Sequence, residues 1–323
     1  NDYRLFNISI SSKLSKGFIR NGHDVINFSY RNFLNKNVLK DRNETINQKV
    51  LDISSNYKPD LVILGHNNFL YQKNIELLKS KYNSKICLWY EDALGKRGDG
   101  PQWKENLNLI EKNNQQIDSY FTTTHPDEIY TTIKKNKLNH LPIPVDENIE
   151  NLMLYENKIN YKDLFFALSH GVNFGKLKKG KYDEREEFIQ KLMIKYPNIN
   201  YNILGIADEN PKWNYDYYNE LNKCKIALNL SRGKPIKLTS SNRIASLIGN
   251  GIYTFIDKGT QYNKIFTENE VGSYSSINDL GSKVERLLSN PDKIKKYAKN
   301  GRERYFQLFN NKIISEDIIK KTF

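Results

Sequence analysis

Between Asn229 and Phe255 the chain reads NLSRGKPIKLTSSNRIASLIGNGIYTF, and its polar part gathers groups that hold anions. Ser231, Arg232, Lys234, Lys237, Ser240, Ser241, Asn242 and Arg243 supply hydroxyl, amide, ammonium and guanidinium groups in one short run. Fixed positive charge beside the free backbone N–H groups of a helix start favours a phosphate. The stretch therefore predicts a diphosphate cradle. Its plain alternative is a capped surface helix behind a solvated basic loop.

Three other places could do chemistry. Ser169-His170-Gly171 follows the apolar run DLFFAL, and small residues at a strand exit let a ligand approach the backbone. His66 ends LVILGH and Glu91-Asp92 ends KICLWYED, each at an equivalent exit in the first half of the chain. An imidazole or carboxylate there can act as general base on an acceptor hydroxyl, although such residues are more often plain loop or capping groups.

Other chemistries have no support. No Gly-x4-Gly-Lys-Ser/Thr or Gly-x-Gly-x-x-Gly follows a strand, no Cys/His spacing suits zinc, and neither His-Glu-x-x-His nor Gly-x-Ser-x-Gly occurs. Without an Asp-x-Asp pair, a metal-clamped diphosphate is disfavoured. No metal or other cofactor is expected, so Arg, Lys and a helix dipole must carry the anion.

The elements that position these groups alternate regularly. Ile226–Leu230 and Ile252–Ile256 are apolar strand runs, so the cradle between them is a βαβ crossover at the carboxyl edge of a sheet. In the first half, a helix over 5–20 stops at Asn21-Gly22 and HDVINFSY reads as a strand, with the strand before the helix missing as if the chain began just after it. Helices over 43–57, 75–82, 107–115 and 127–135 separate the strands LVILGH, KICLWYED and IDSYFTTTH. The second half repeats the rhythm, with helices over 183–196, 215–223 and 277–288, another opening at Pro291-Asp292, and a last amphipathic helix over 302–323. Strands alternating with helices predict an α/β fold of two Rossmann-like domains with parallel sheets facing across a cleft. The expected domains are 1–148, completed by 303–323, and 149–302, joined through a polar connection over 147–162.

Bulk properties narrow the class. A chain of 323 residues suits two domains. The net charge of +13 is spread over lysines along the whole length rather than clustered, which argues against nucleic acid. It fits an anionic substrate or peripheral contact with an anionic membrane equally well. Cys87 and Cys224 stand in apolar runs and read as small buried hydrophobes of a reducing compartment. No run approaches a membrane span and no signal pattern opens the chain, so a cytoplasmic protein is expected.

The second half resembles the C-terminal domain of GT-B glycosyltransferases, specifically the group 1-like, spore-maturation-type branch. The resemblance rests on Lys225-Ile226-Ala227-Leu228-Asn229, Ser241-Asn242-Arg243-Ile244, Gly249-Asn250-Gly251, VGSYSSINDLGSKVERLL and PDKIKKYAKNGRERYFQLFN, covering about residues 163 to 310. It implies transfer of a sugar from a nucleotide-sugar donor to a glycan, lipid-linked or other hydroxyl acceptor. Donor contacts would come from Ser169, His170 and Gly171 near the diphosphate and Gly205 near the base. Asn229, Ser231, Arg232, Lys234, Ser240, Ser241, Asn242 and Arg243 would complete the donor set. The first domain would hold the acceptor, and the last helix would cross back onto it. The paired glutamates of the wider retaining group are absent, with Leu238 and Ser246 at those positions. The alternatives are a nucleotide-sugar epimerase of similar fold and a basic binding protein without catalysis.

Overall fold

The computed structural model describes residues 9–30, 42–66, 70–96, 102–112, 114–157, 161–168, 184–206, 209–239 and 241–323. The chain divides into two compact units. One holds Ser15–Pro142 with Lys312–Phe323, and the other holds Ile143–Asn311 with residues up to Leu14.

The first unit is built on a parallel sheet of order β1-β2-β3-β4. Its strands are β1 (Leu61–Gly65), β2 (Lys85–Tyr90), β3 (Ser119–Thr122) and β4 (Leu138–His140). Ile86, Leu88 and Tyr90 share one face of β2 because side chains alternate along a strand. They pack with Ile75 and Leu78 of α3 (Gln72–Tyr82) and with Leu107 and Ile110 of α4 (Gln102–Glu111). This unit also carries most of α1 (Ile10–Arg20), α2 (Arg42–Tyr57) and the terminal helix α10 (Asn311–Thr322). Ser119 on β3 and Thr322 share a buried hydrogen bond of 2.7 Å, which seats the end of α10.

The second unit has five parallel strands in the order β6-β5-β7-β8-β9. These are β5 (Lys162–Ala167), β6 (Tyr201–Leu204), β7 (Cys224–Asn229), β8 (Tyr253–Asp257) and β9 (Gly272–Tyr274). Near-continuous apolar runs such as DLFFA suit strands covered on both faces. Leu164, Phe166, Ile226 and Leu228 face α5 (Glu184–Lys195) and α8 (Ile277–Leu288), burying Ile189, Leu192, Leu280 and Val284. Phe165 and Ala227 point the other way, against Leu221 of α6 (Asn214–Leu221) and Leu247 of α7 (Arg243–Ile248). Full burial of side chains such as these contributes about 1.5–3 kcal/mol each.

Three expected elements differ. Residues 23–29 form no strand, and Ile26 is exposed. The helix expected over 127–135 is two short 3-10 turns, Pro126–Glu128 and Lys135–Lys137. There Glu111 accepts from the Thr132 backbone N–H at 2.9 Å and from the Thr131 hydroxyl, diverting a β-branched run into a loop. Burial alone would raise the Glu111 carboxyl, but these hydrogen bonds outweigh it and hold the group below its usual range. Finally, the helix expected over 302–323 is divided. α9 runs Pro291–Phe309, and at Asn310 the backbone turns extended to bridge Val145, with Val145 N to Phe309 O at 3.0 Å and Asn311 N to Val145 O at 2.9 Å.

Candidate functional site

In the second unit, the carboxyl ends of β5, β6 and β7 form one edge. Gly205 follows β6 with φ 78°, and a Cβ there would lie 1.8 Å from the Leu168 carbonyl oxygen, so only glycine lets the two strand exits approach. Leu168 N donates to Leu204 O at 2.9 Å in that same approach.

Arg243, the first residue of α7, ties this edge together. Its Nη1 donates to Leu230 O at 3.0 Å, just past β7, and its guanidinium lies 5.3 Å from the Phe166 ring centroid on β5. A cation over an aromatic face is held by the ring quadrupole. Tyr217, whose hydroxyl burial pushes well up, lies close enough to feel the Arg243 charge. Asn229 is buried at the last position of β7.

The loop after β7 carries the remaining expected groups. Ser231 is half-buried, while Arg232 and Lys234 are exposed. Gly233, with φ 69°, donates its N–H to the Glu184 carboxylate at the start of α5. That bond pins the loop between its two cations. Ser241 is exposed and Asn242 half-buried. Asn242 precedes α7 without a side-chain cap, and its Oδ1 is buried without a hydrogen-bond partner among the described residues. α7 has only six residues, so its dipole is short and the side-chain cations carry most of the positive field. Ser169, His170, Gly171 and Ser240 lie outside the described residues.

Leu238 and Ser246 occupy the positions where the resembling group carries carboxylates. Leu238 adopts φ 47°, a strained conformation for a branched side chain, with its N–H on Thr260 O at 2.8 Å. Ser246 is 3 % exposed, so its hydroxyl is turned into the protein.

In the first unit, the strand exits bring His66, Glu91 and Asp92 together. His66 Nε2 lies 3.6 Å from Glu91 Oε1 and Nδ1 lies 3.7 Å from Asp92 Oδ2, beyond hydrogen-bond range but within ion-pair reach of an imidazolium. The ring is tilted over Tyr90 at 4.5 Å and meets Trp89 edge-on at 5.6 Å. His66 has φ 47°, a region that histidine enters more often than most side chains. Burial, then the Asp92 charge, pushes the Tyr90 hydroxyl up to about 12, so it stays a neutral donor, here to Asn106 Oδ1 at 3.1 Å.

A brace that sequence reasoning missed fixes the loop after β2. Thr123 Oγ1 donates to Glu91 O at 2.8 Å, Leu94 N donates to Thr124 Oγ1 at 3.1 Å, and Asn106 Nδ2 donates to Ala93 O at 2.9 Å. Also missed are His125, past β3, and His140, the last residue of β4, whose rings lie 5.4 Å apart on the same edge. The signal was present: TTTHP and NHLP place each imidazole at a strand exit, as LVILGH places His66.

Two sheets of parallel α/β units with these connections define a GT-B fold. The structure is similar to HepE of Anabaena in complex with UDP and glucose, with a TM-score of 0.59 and 11 % identity over 98 % of this chain and 94 % of that one. It is likewise similar to TarM, with a TM-score of 0.58 and 10 % identity over 89 % of this chain and 59 % of that one. Sucrose-phosphate synthase from Thermosynechococcus elongatus gives a TM-score of 0.54 and 14 % identity over 96 % and 91 %. Residues 184–319 match the family model described as glycosyl transferase-like. No curated protein matches the sequence. No described helix is long and apolar enough to cross a membrane.

Proposed function

We propose that this chain transfers a sugar from a nucleoside-diphosphate sugar to a hydroxyl acceptor on a glycan or lipid-linked carrier, without a metal ion. The observation that carries the reading is Arg243, a guanidinium held across the β5 and β7 exits inside the glycosyl transferase-like region. A similar structure bound to UDP and glucose supports a UDP-type donor.

In this reading the diphosphate lies along the edge formed by Asn229, Ser231, Arg232, Lys234 and Ser241 to Arg243, with the base near Gly205. Ser169 to Gly171 and Ser240 belong to the same set by their sequence position. The acceptor oxygen attacks the anomeric carbon and the bond from that carbon to the diphosphate oxygen breaks. Negative charge grows on the departing diphosphate, and fixed cations that need no reorganisation stabilise it. The acceptor proton passes to His66 or to Glu91, with Asp92 holding the imidazole charge. The hydroxyl of Asn242's neighbour Ser241 and the Asn242 amide supply uncharged contacts to the donor.

The test is a donor panel of UDP, GDP, CMP and dTDP sugars, read first by thermal stabilisation with the nucleotide and then by nucleotide release with and without acceptor. A ligand that binds only the folded protein raises its apparent stability. One nucleotide should stabilise the protein and its sugar should turn over faster with acceptor. Conversion of the sugar without any acceptor would point to an epimerase instead, and indifference to every nucleotide would end the proposal.

A further inference from the structure

The second unit has a groove of about 640 Å³ along α6 that reaches the end of its sheet opposite the Arg243 edge. Tyr161 immediately precedes β5 and Lys223 immediately precedes β7, and both strands run from this groove toward Arg243. Six residues of strand span roughly 20 Å at about 3.3 Å each, which sets Tyr161 and Lys223 far from the Arg243 edge, and none of the residues lining the groove belongs to the proposed donor set.

Its charges cancel. Lys212 Nζ lies 2.6 Å from Glu220 Oε1 and Lys223 Nζ lies 3.0 Å from Glu220 Oε2, while Asn202 Nδ2 donates to Oε2 at 3.2 Å. Burial of Glu220 opposes its ionisation, but these partners overcome that and hold the carboxyl down to about 2. With Asp216 also lining the groove, two ammonium groups face two carboxylates, in a chain whose net charge is +13. An anion would find no uncompensated cation here.

What the groove offers is one flat ring and several planar polar groups. Tyr161 is 69 % exposed and presents its ring to solvent at the groove wall. Asn219, Asp216 and Asn222 line the same space, and Asn157 Nδ2 donates to Asn222 Oδ1 at 2.8 Å, fixing which end of that amide donates outward. An aromatic face beside amides and carboxylates matches a ligand with an apolar C–H face and a rim of hydroxyls. We propose that this groove is a binding site for a neutral glycan, separate from the transfer site and independent of the donor assignment.

The test uses the full chain without any nucleotide. Neutral hexasaccharides of α-1,4-glucose, β-1,4-glucose and β-1,4-N-acetylglucosamine are titrated by calorimetry, with inorganic phosphate as the charged probe. At least one hexasaccharide should bind with Kd of about 1 mM or tighter, and Tyr161→Ala and Asn219→Ala should each weaken it at least about tenfold. Both side chains lie at the surface, so melting temperature and nucleotide-induced stabilisation should match the parent protein. Failure of all three hexasaccharides to bind overturns the proposal, as does binding that neither substitution weakens or that phosphate displaces. Loss of nucleotide response in the parent protein would count against the donor reading and leave this result intact.

Discussion

Lys13→Met should unfold the second unit more easily at neutral pH and recover part of the loss in acid. Lys13 is 1 % exposed, and its Nζ donates to Glu150 Oε1 at 2.6 Å and to Pro144 O at 3.0 Å. Glu150, fully buried, takes the Asp146 N–H on its other oxygen at 2.8 Å. Asn311 Nδ2 closes the network on Asp146 Oδ2 at 2.8 Å and on Lys13 O at 3.1 Å. Methionine keeps the shape but strands a buried carboxylate, and breaking such a pair from one side costs about 3–5 kcal/mol. The pH dependence follows from the balance at Glu150. Burial raises its carboxyl, and attraction to Lys13 pulls it only part of the way back. Removing Lys13 removes that pull, so the folded-state pKa climbs further above the unfolded value near 4.3. A raised acid contributes fully below its unfolded pKa and loses that contribution as pH rises through the folded one. Each unit of further rise adds about 1.36 kcal/mol to the variant's deficit at high pH relative to low. Urea unfolding of both proteins at pH 5 and pH 8 measures it. A deficit below about 1 kcal/mol at pH 8, or one of equal size at both pH values, would refute the account of an uncompensated buried charge.

Arg243→Ala should lower donor turnover by about 10²-fold to 10³-fold, the usual cost of losing one fixed leaving-group donor, and steady-state kinetics with the nucleotide sugar identified by the panel would show it. Gly205→Ala places a methyl against the Leu168 carbonyl at positive φ, so a loss of at least about 2 kcal/mol in chemical unfolding is expected. His66→Phe keeps the ring packing on Tyr90 and Trp89 but removes the ring nitrogens; nucleotide stabilisation should persist while acceptor-dependent turnover falls about 10²-fold or more. Ser276→Ala removes the side chain that caps Asp279 N at 3.1 Å in α8, at a cost of about 1 kcal/mol in thermal unfolding.

The sheets were legible because their strands are short apolar runs punctuated by polar exits, and KICLWY, DLFF and KIALN fall in the observed strands. The helix over 277–288 was legible for the same reason, since Leu280, Val284 and Leu287 repeat on one face behind a capping serine. HDVINFSY misled because its residue types suit a strand while the chain there forms none. The 127–135 run misled because its fate depends on Glu111, distant in sequence, taking the Thr131 and Thr132 groups. In the site, single residues at strand exits could be named, but not their supports. Nothing in the sequence joins Arg243 to Phe166, Gly233 to Glu184, or Thr123 to the carbonyl of Glu91, because each is a contact between separate elements. His125 and His140 went unnoticed because each alone reads as a loop histidine.

The seat of Arg243 on Phe166 has a consequence for what counts as a core position. One face of that phenylalanine belongs to the packing beneath α5 and α8, and its ring also steadies a cation at the sheet's rim. Trimming it to leucine would loosen the guanidinium before the sheet itself gave way, so a change made in the greasy interior would be read at the rim as a displaced cation.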